Sequence, residues 1–354
     1  MSEGSTGQGS ETVNREVRPR PYAAALVIMA LLAALTGSII YREQAERERQ
    51  QVLTDLDRIG RLKVSQLTGW CEERLLDAGM AAHGPLTWEA IGEARSGGPS
   101  RALPGMRSYL ADLVGHYRYG RAALVDTAGH ELVAVARDGW RTTTDLAEPL
   151  RAAVVARAPI MWVPQSGRGS VPYLLLVGPV FPLGQLGAEP VGAVVVWIDA
   201  RESLLPMVDW WPTGMGSGEI YLVRRDGDEA VRWRGPRARR VGGDGVSRVG
   251  VELEQDPAAQ AVLGRRGPTR GLDGATPVLA ALPEVPRTPW MLVSQVNEAA
   301  AMAHWRLRGG LLSGLVAMVC IALLAAAGTV SHLQARYHAL ALTTDQLRAS
   351  QALV

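Results

Sequence analysis

Apolar residues collect into two uninterrupted runs, Tyr22 to Ile40 and Gly309 to Val330, with a long stretch of mixed polar and apolar sequence between them. At about 1.5 Å of rise per residue these reach roughly 28 and 33 Å, enough for a bilayer hydrocarbon core of about 30 Å. The first run is longer than a signal-peptide core and follows an Arg- and Glu-containing tail. The second holds nothing more polar than Ser313, Cys320 and glycine over Leu311 to Ala327. Both therefore read as spans, 21–41 and 309–330, rather than as a cleaved leader and a core helix. Two crossings put the tails 1–20 and 331–354 on one side and the middle region, 42–308, on the other. Loop charge does not set the direction: Arg15, Arg18 and Arg20 before the first span are matched by Arg42, Arg47 and Arg49 after it, and Arg306 and Arg308 precede the second.

Beyond the first span, residues 42–82 hold no proline and place Val52, Leu56, Ile59, Leu62, Leu67 and Trp70 on one broad stripe, which predicts a long helix continuing out of the membrane. A helix of that length needs a partner, either its own domain or a second subunit. The stripe is expected to serve both, with Leu56, Ile59, Trp70 and Cys71 at the interface of a parallel homodimer. After a Gly/Pro-rich break (Ser96 to Pro104) comes a short helix near Met106 to Tyr117. A hairpin follows (122–126 and 131–135), then a helix over 146–156 and strands at 160–163, 173–180 and 191–198. The order then restarts with a connecting helix at 202–211, a hairpin (219–224 and 229–234), a helix near 256–263 and strands at 276–282 and 290–296. The predicted class is α+β with antiparallel sheets. Past the second span, Leu333, Tyr337, Leu340, Thr344 and Leu347 alternate at spacings of four and three, the seam of a coiled-coil start.

A net charge of +2 with 20% charged residues shows no bias toward nucleic acid. Lys63 is the only lysine. Cys71 and Cys320 fall in different compartments, so they cannot pair, and the six histidines have no metal-ligand spacing. Neither metal nor cofactor is expected. Nucleophile elbows, Walker loops and Cys/His pairs are missing, so no catalytic domain is expected. Gly214 to Gly218 reads as a loop because it precedes a strand. The run Arg224, Arg225, Arg232, Arg234, Arg237, Arg239 and Arg240 reads as a solvent-facing hairpin, with lipid headgroups or a carboxylate-bearing partner as other readings, so the second half is expected to offer no set of aromatics with a paired arginine and carboxylate. The better site candidate is Trp140 and Arg141 after the first hairpin, with Trp162, Tyr173 and Asp199 on or beside the strands. Aromatic walls with one arginine and one carboxylate suit a small zwitterion or organic acid, unless the rings are core and the charges surface.

The strings from Ala123 to Gly129, Pro190 to Asp199, Gly218 to Gly227 and Pro289 to Val293 resemble the extracytoplasmic double Cache region of bacterial transmembrane histidine kinases and diguanylate cyclases. The resemblance covers roughly Arg42 to Trp305. It implies two PAS-like units on the long N-terminal helix, a membrane-distal one (83–200) and a membrane-proximal one (201–305). It further implies a bacterial inner-membrane location with 42–308 in the periplasm or outside, and an unknown small-molecule ligand. The signal would pass by helix motion to a cytoplasmic PAS, kinase or GGDEF output beyond this chain. The segment Asp138 to Thr143 departs from the Tyr-x4-Arg-x-Trp-Tyr motif of the amino-acid-binding members, so that ligand is not carried over. Asp345 to Ser350 resembles the lead-in to a PAS domain. A chemoreceptor-like sensor, or a membrane-anchored assembly protein without a small ligand, are the alternatives.

Overall fold

Nothing interrupts the helical pattern between the first apolar run and the polar stripe that follows it, and they form one helix, α1 (Arg20–His83). The computed structural model describes residues 20–96, 101–140, 144–164, 172–182, 187–209, 211, 218–235 and 245–351. Arg141, Arg237, Arg239, Arg240, the glycine-rich stretch 214–217 and the tail 1–19 lie outside them. The chain divides into two units, residues 1–49 with 302–354, and residues 50–301.

The first unit holds the start of α1 and the last helix, α8 (Ala303–Gln351). Each contains a stretch of mean hydropathy 2.4 and is long and apolar enough to cross a membrane. The two run antiparallel. The Cys320 thiol donates to the Ala30 carbonyl at 3.4 Å, Gly37 sits against Val316, and the rings of Tyr41 and Trp305 stand 5.7 Å apart. At Gly37 a Cβ would come within 3.0 Å of the Val316 side chain, so glycine permits the close approach of the two helices.

The second unit holds two antiparallel sheets. After α2 (Pro85–Ser96) and α3 (Ala102–His116), the first sheet is built from β1 (Arg121–Asp126), β2 (Glu131–Ala136), β3 (Ile160–Trp162), β4 (Tyr173–Val180) and β5 (Gly192–Asp199), with α4 (Ala147–Ala156) between β2 and β3. Its spatial order is β2-β1-β5-β4-β3. A short α5 (Leu204–Val208) leads to the second sheet: β6 (Gly218–Asp226), β7 (Glu229–Arg234), β8 (Val246–Gly250), β9 (Gly267–Asp273), β10 (Thr276–Leu282) and β11 (Met291–Asn297), with α6 (Pro257–Val262) between β8 and β9. The order there is β8-β7-β6-β11-β10-β9. In both sheets the last strand returns to pair with the first, so each opening hairpin lies beside the final strand. The last of these strands, β11, passes through α7 (Glu298–Ala301) into α8.

Each sheet is covered on both faces, which is why β4 and β5 are buried at every position and read as continuous apolar runs. One face of the first sheet (Leu124, Leu174, Leu176, Val194, Val196) and one of the second (Leu222, Leu279, Leu292) join a single core closed by α1. The other faces carry α4 and α6 respectively. Contact with α1 is close. Ser294 Oγ donates to the Leu56 carbonyl at 3.0 Å, and a Cβ at Gly178 of β4 would fall 2.5 Å from the Ala78 carbonyl oxygen.

That contact reassigns the stripe expected at a subunit interface. Leu56 and Cys71 are buried against the chain's own sheets, and Ile59 and Trp70 pack against the same core. Burial also pushes the Cys71 thiol up to about 11, so it is an apolar core group rather than a crosslinking one. Within the second unit the exposed large apolar residues of this helix are Leu62, Leu76 and Met80, 56%, 67% and 66% exposed. The elements that the pattern did not show are α2, β8 and β9. The sequence of β9, Gly-Pro-Thr-Arg-Gly-Leu-Asp, lacks apolar alternation because it is an edge strand, where proline and glycine are tolerated.

Candidate functional site

Cross-strand partners in an antiparallel sheet project to the same side. The register pairs Trp162 with Leu175, Leu175 with Trp197, and Tyr173 with Asp199, so all of these lie on the α4 face of the first sheet. Trp140 joins them from the loop after β2, its ring meeting Tyr173 edge to face at 6.3 Å. Gly120 makes the space for it, since a Cβ there would be 2.3 Å from the indole. Thr144, just before α4, ties the set together: its hydroxyl lies 2.8 Å from the Tyr173 hydroxyl and accepts from Trp197 Nε1 at 3.2 Å.

Beside this aromatic group is a cavity of about 760 Å³. Trp162 and Tyr173 line it from the first sheet, and Thr144, Asp145 and Glu148 from the start of α4. Arg224 and Arg225 line it from β6 of the second sheet. Of the five residues singled out from sequence, Trp162 and Tyr173 thus border the cavity, and Trp140 stands behind Tyr173. Asp199 is brought to the same face but is buried, and its carboxylate accepts from Arg201 N at 2.8 Å, Nε at 3.1 Å and Nη2 at 2.7 Å. It closes the turn after β5. Arg141 is outside the described residues.

The arginine run departs from its expectation. Arg225 is exposed, but Arg224 and Arg232 are buried. Arg224 donates from Nη1 to the Val163 carbonyl at 2.7 Å and from Nη2 to the Pro164 carbonyl at 3.1 Å, so an arginine of the second sheet clamps the chain leaving β3. Burial pushes its guanidinium pKa down. The signal was present in the alternation of β6: Ile220, Leu222 and Arg224 occupy one face, and the first two are core.

Arg232 and Arg234 sit on the other face, over the ring of Tyr221 at 5.5 and 5.3 Å. Arg232 pairs with Asp256, and with Asp273 at 2.9 Å. Arg234 faces Glu219 at 3.4 Å and Asp273 at 3.5 Å. Gln295 Nε2 donates to Glu219 at 2.8 Å and Asp273 at 3.0 Å, while its carbonyl accepts from the Tyr221 hydroxyl at 3.1 Å. Contrary to expectation, the second sheet does gather aromatics, arginines and carboxylates, and they pair with one another, although the Nε atoms of Arg232 and Arg234 are buried without a hydrogen-bond partner.

No family model and no curated protein matches the chain. Among solved structures, the ligand-binding domain of the Pseudomonas fluorescens chemoreceptor CtaA, in complex with L-isoleucine, is similar at 13% identity and TM-score 0.49, over 74% of this chain and 98% of that one. That of the Pseudomonas aeruginosa PAO1 amino acid chemoreceptor PctB, in complex with L-Arg, is similar at 16% and 0.48, over 72% and 98%. An extracellular domain described as that of a histidine kinase, vpHK1S-Z8, is similar at 16% and 0.48, over 75% and 96%. Scores below 0.5 at such identities carry neither a function nor a ligand to this chain.

Proposed function

We propose that the chain is a two-pass sensor of a bacterial inner membrane. In this reading residues 42–308 face the periplasm or the exterior as two PAS-like, double Cache units, 83–200 and 201–305, borne on α1. A small zwitterion or organic acid occupies the cavity beside Trp162 and Tyr173, with Arg141 as a further contact. Its binding is passed through β11 and α8, and through α1, to a cytoplasmic PAS, kinase or GGDEF output. The chain's own role is binding and transmission, not catalysis. The observation that supports this best is the cavity itself: a space of ligand size, walled by two aromatic rings, hydroxyls and charges of both signs, in a unit whose first and last helices continue into apolar spans.

The same reading includes a parallel homodimer. Its seam is the outward face of α1, where Leu62, Gly69, Leu76 and His83 recur every seven residues with Met80 beside them. A groove of about 600 Å³ lined by Leu75, Leu76, Gly79, Met80 and Pro159 runs along this face.

A thermal-shift screen of the full chain in lipid nanodiscs, using small acids, amines and zwitterions, tests the sensor. A ligand at about 100 times its Kd should add about 2.7 kcal/mol of stability, and Trp162→Ala should abolish the shift. A screen without any saturable shift favours the assembly-protein alternative.

A further inference from the structure

We infer that the anionic end of the ligand, a carboxylate or phosphate group, is held by Arg224, so that the second sheet completes a site otherwise built by the first. This rests on the reading of the cavity as a ligand site and names the chemistry it recognises.

Arg224 is only 9% exposed and lines the cavity. Burying a cation is costly unless an anion or a full set of acceptors compensates it. Among the described residues no carboxylate pairs with Arg224. Its contacts are the two neutral carbonyls of Val163 and Pro164, and its Nε is buried without a hydrogen-bond partner. A guanidinium has five N–H donors, and two are accounted for. An unpartnered Nε is shared by the other buried arginine of this sheet, Arg232, so the contrast lies in the charge: Arg232 meets two carboxylates in its own chain and Arg224 meets none among the described residues. Arg225, the next residue, adds a second cation to the same cavity, its Nε bonded only to the Gly227 carbonyl.

An oxyanion fits this deficit. It would accept from the Nη hydrogens left over, neutralise the buried charge and replace no protein ion pair. Asp145 and Glu148 on the α4 wall repel a second anionic group, so the remainder of the ligand is neutral or cationic. The position of Arg224 also gives occupancy a route outward. The neighbouring Val223 pairs with Met291 of β11, the strand that continues into α7 and α8.

The probes are propionate, inorganic phosphate and uncharged propionamide, titrated against the full chain in nanodiscs by calorimetry and thermal shift. Propionate or phosphate should bind saturably and propionamide at least tenfold more weakly, and the two anions distinguish a carboxylate from a phosphate source. Arg224→Gln should weaken anion binding about 10- to 100-fold, the loss of a hydrogen bond to a charged group. Arg224→Lys keeps the charge without the fork and should lie between, which covers the case in which the glutamine variant does not fold. Arg225→Gln should cost less. The inference is overturned if neither anion binds, or if both Arg224 variants bind as tightly as the parent. Propionamide binding as well as propionate, or Trp162→Ala abolishing binding while both Arg224 variants retain it, overturns the role of Arg224 and leaves the cavity's sensor reading standing.

Discussion

Single residues decide how closely α1 lies on the sheets. At Gly178 an added Cβ would stand 2.5 Å from the Ala78 carbonyl oxygen and 3.1 Å from the Ala82 Cβ, both on α1. Because the nearer obstacle is helix backbone, the helix or the strand must move. Gly178→Ala is expected to lower stability by about 1–3 kcal/mol, the usual cost of overpacking, and a thermal melt of the full chain checks it. Gly69, with nothing within 4 Å of a Cβ, is the control position and should tolerate alanine in the isolated chain. Legibility at this scale was uneven. The cavity aromatics Trp162 and Tyr173 could be found from sequence because rings beside strands point to a walled pocket. Arg224 was misread because charge was weighed before the alternation Ile220, Leu222, Arg224 was followed to its end. Asp199 was chosen for its carboxylate, and nothing in the sequence showed that Arg201, two residues on, would occupy it.

Among elements, the long apolar strands and the amphipathic helices were legible because burial on both faces leaves an unbroken signal. The edge strands β8 and β9 were not, because partial exposure erases it. The second sheet's polar network could not be read either, since its members come from β6, β7, β9, β11 and the turn before α6. It makes a pH prediction with two opposing parts. Burial works against ionised Asp273, but Arg232, Arg234 and Gln295 outweigh it and hold the carboxyl below its usual range. Its stabilisation is therefore complete above the ordinary carboxylate range and is lost as pH falls through the depressed value. Burial pushes Glu219 up despite Arg234, so its ionisation costs stability as pH rises from the ordinary range through the raised value. Asp273→Asn should cost about 1–3 kcal/mol at pH 7 and nothing once the pH is below the folded value. Glu219→Gln should cost less at pH 7. Melts of both variants across pH 3 to 8 check the signs, and an Asp273→Asn deficit independent of pH would show that geometry rather than charge holds the network.

For the whole molecule, the proposed dimer turns on which face of α1 would meet a second copy. The sequence pattern offered one broad stripe from Val52 to Trp70, and periodicity alone could not separate the part that closes the chain's own core from the part left outside. The structure separates them: Leu56 and Cys71 turn inward, while Leu62 and Leu76, fourteen residues apart, turn outward with Gly69 midway. In a parallel two-fold dimer each seam residue meets its own counterpart, so a cysteine placed there can pair with its copy if the Cα atoms lie within about 7 Å. Leu62→Cys and Leu76→Cys, each in a Cys71→Ala, Cys320→Ser background in nanodiscs, are expected to crosslink under mild oxidation. Residues a half-turn away, such as Val64 and Ala78, are expected not to, since they pack inward. Native Cys71 should resist both crosslinking and alkylation until the chain is unfolded, given its burial and raised pKa. Crosslinking confined to Cys71, or spread without a seven-residue period from Asp57 to His83, would place the seam elsewhere or show that the chain acts as a monomer.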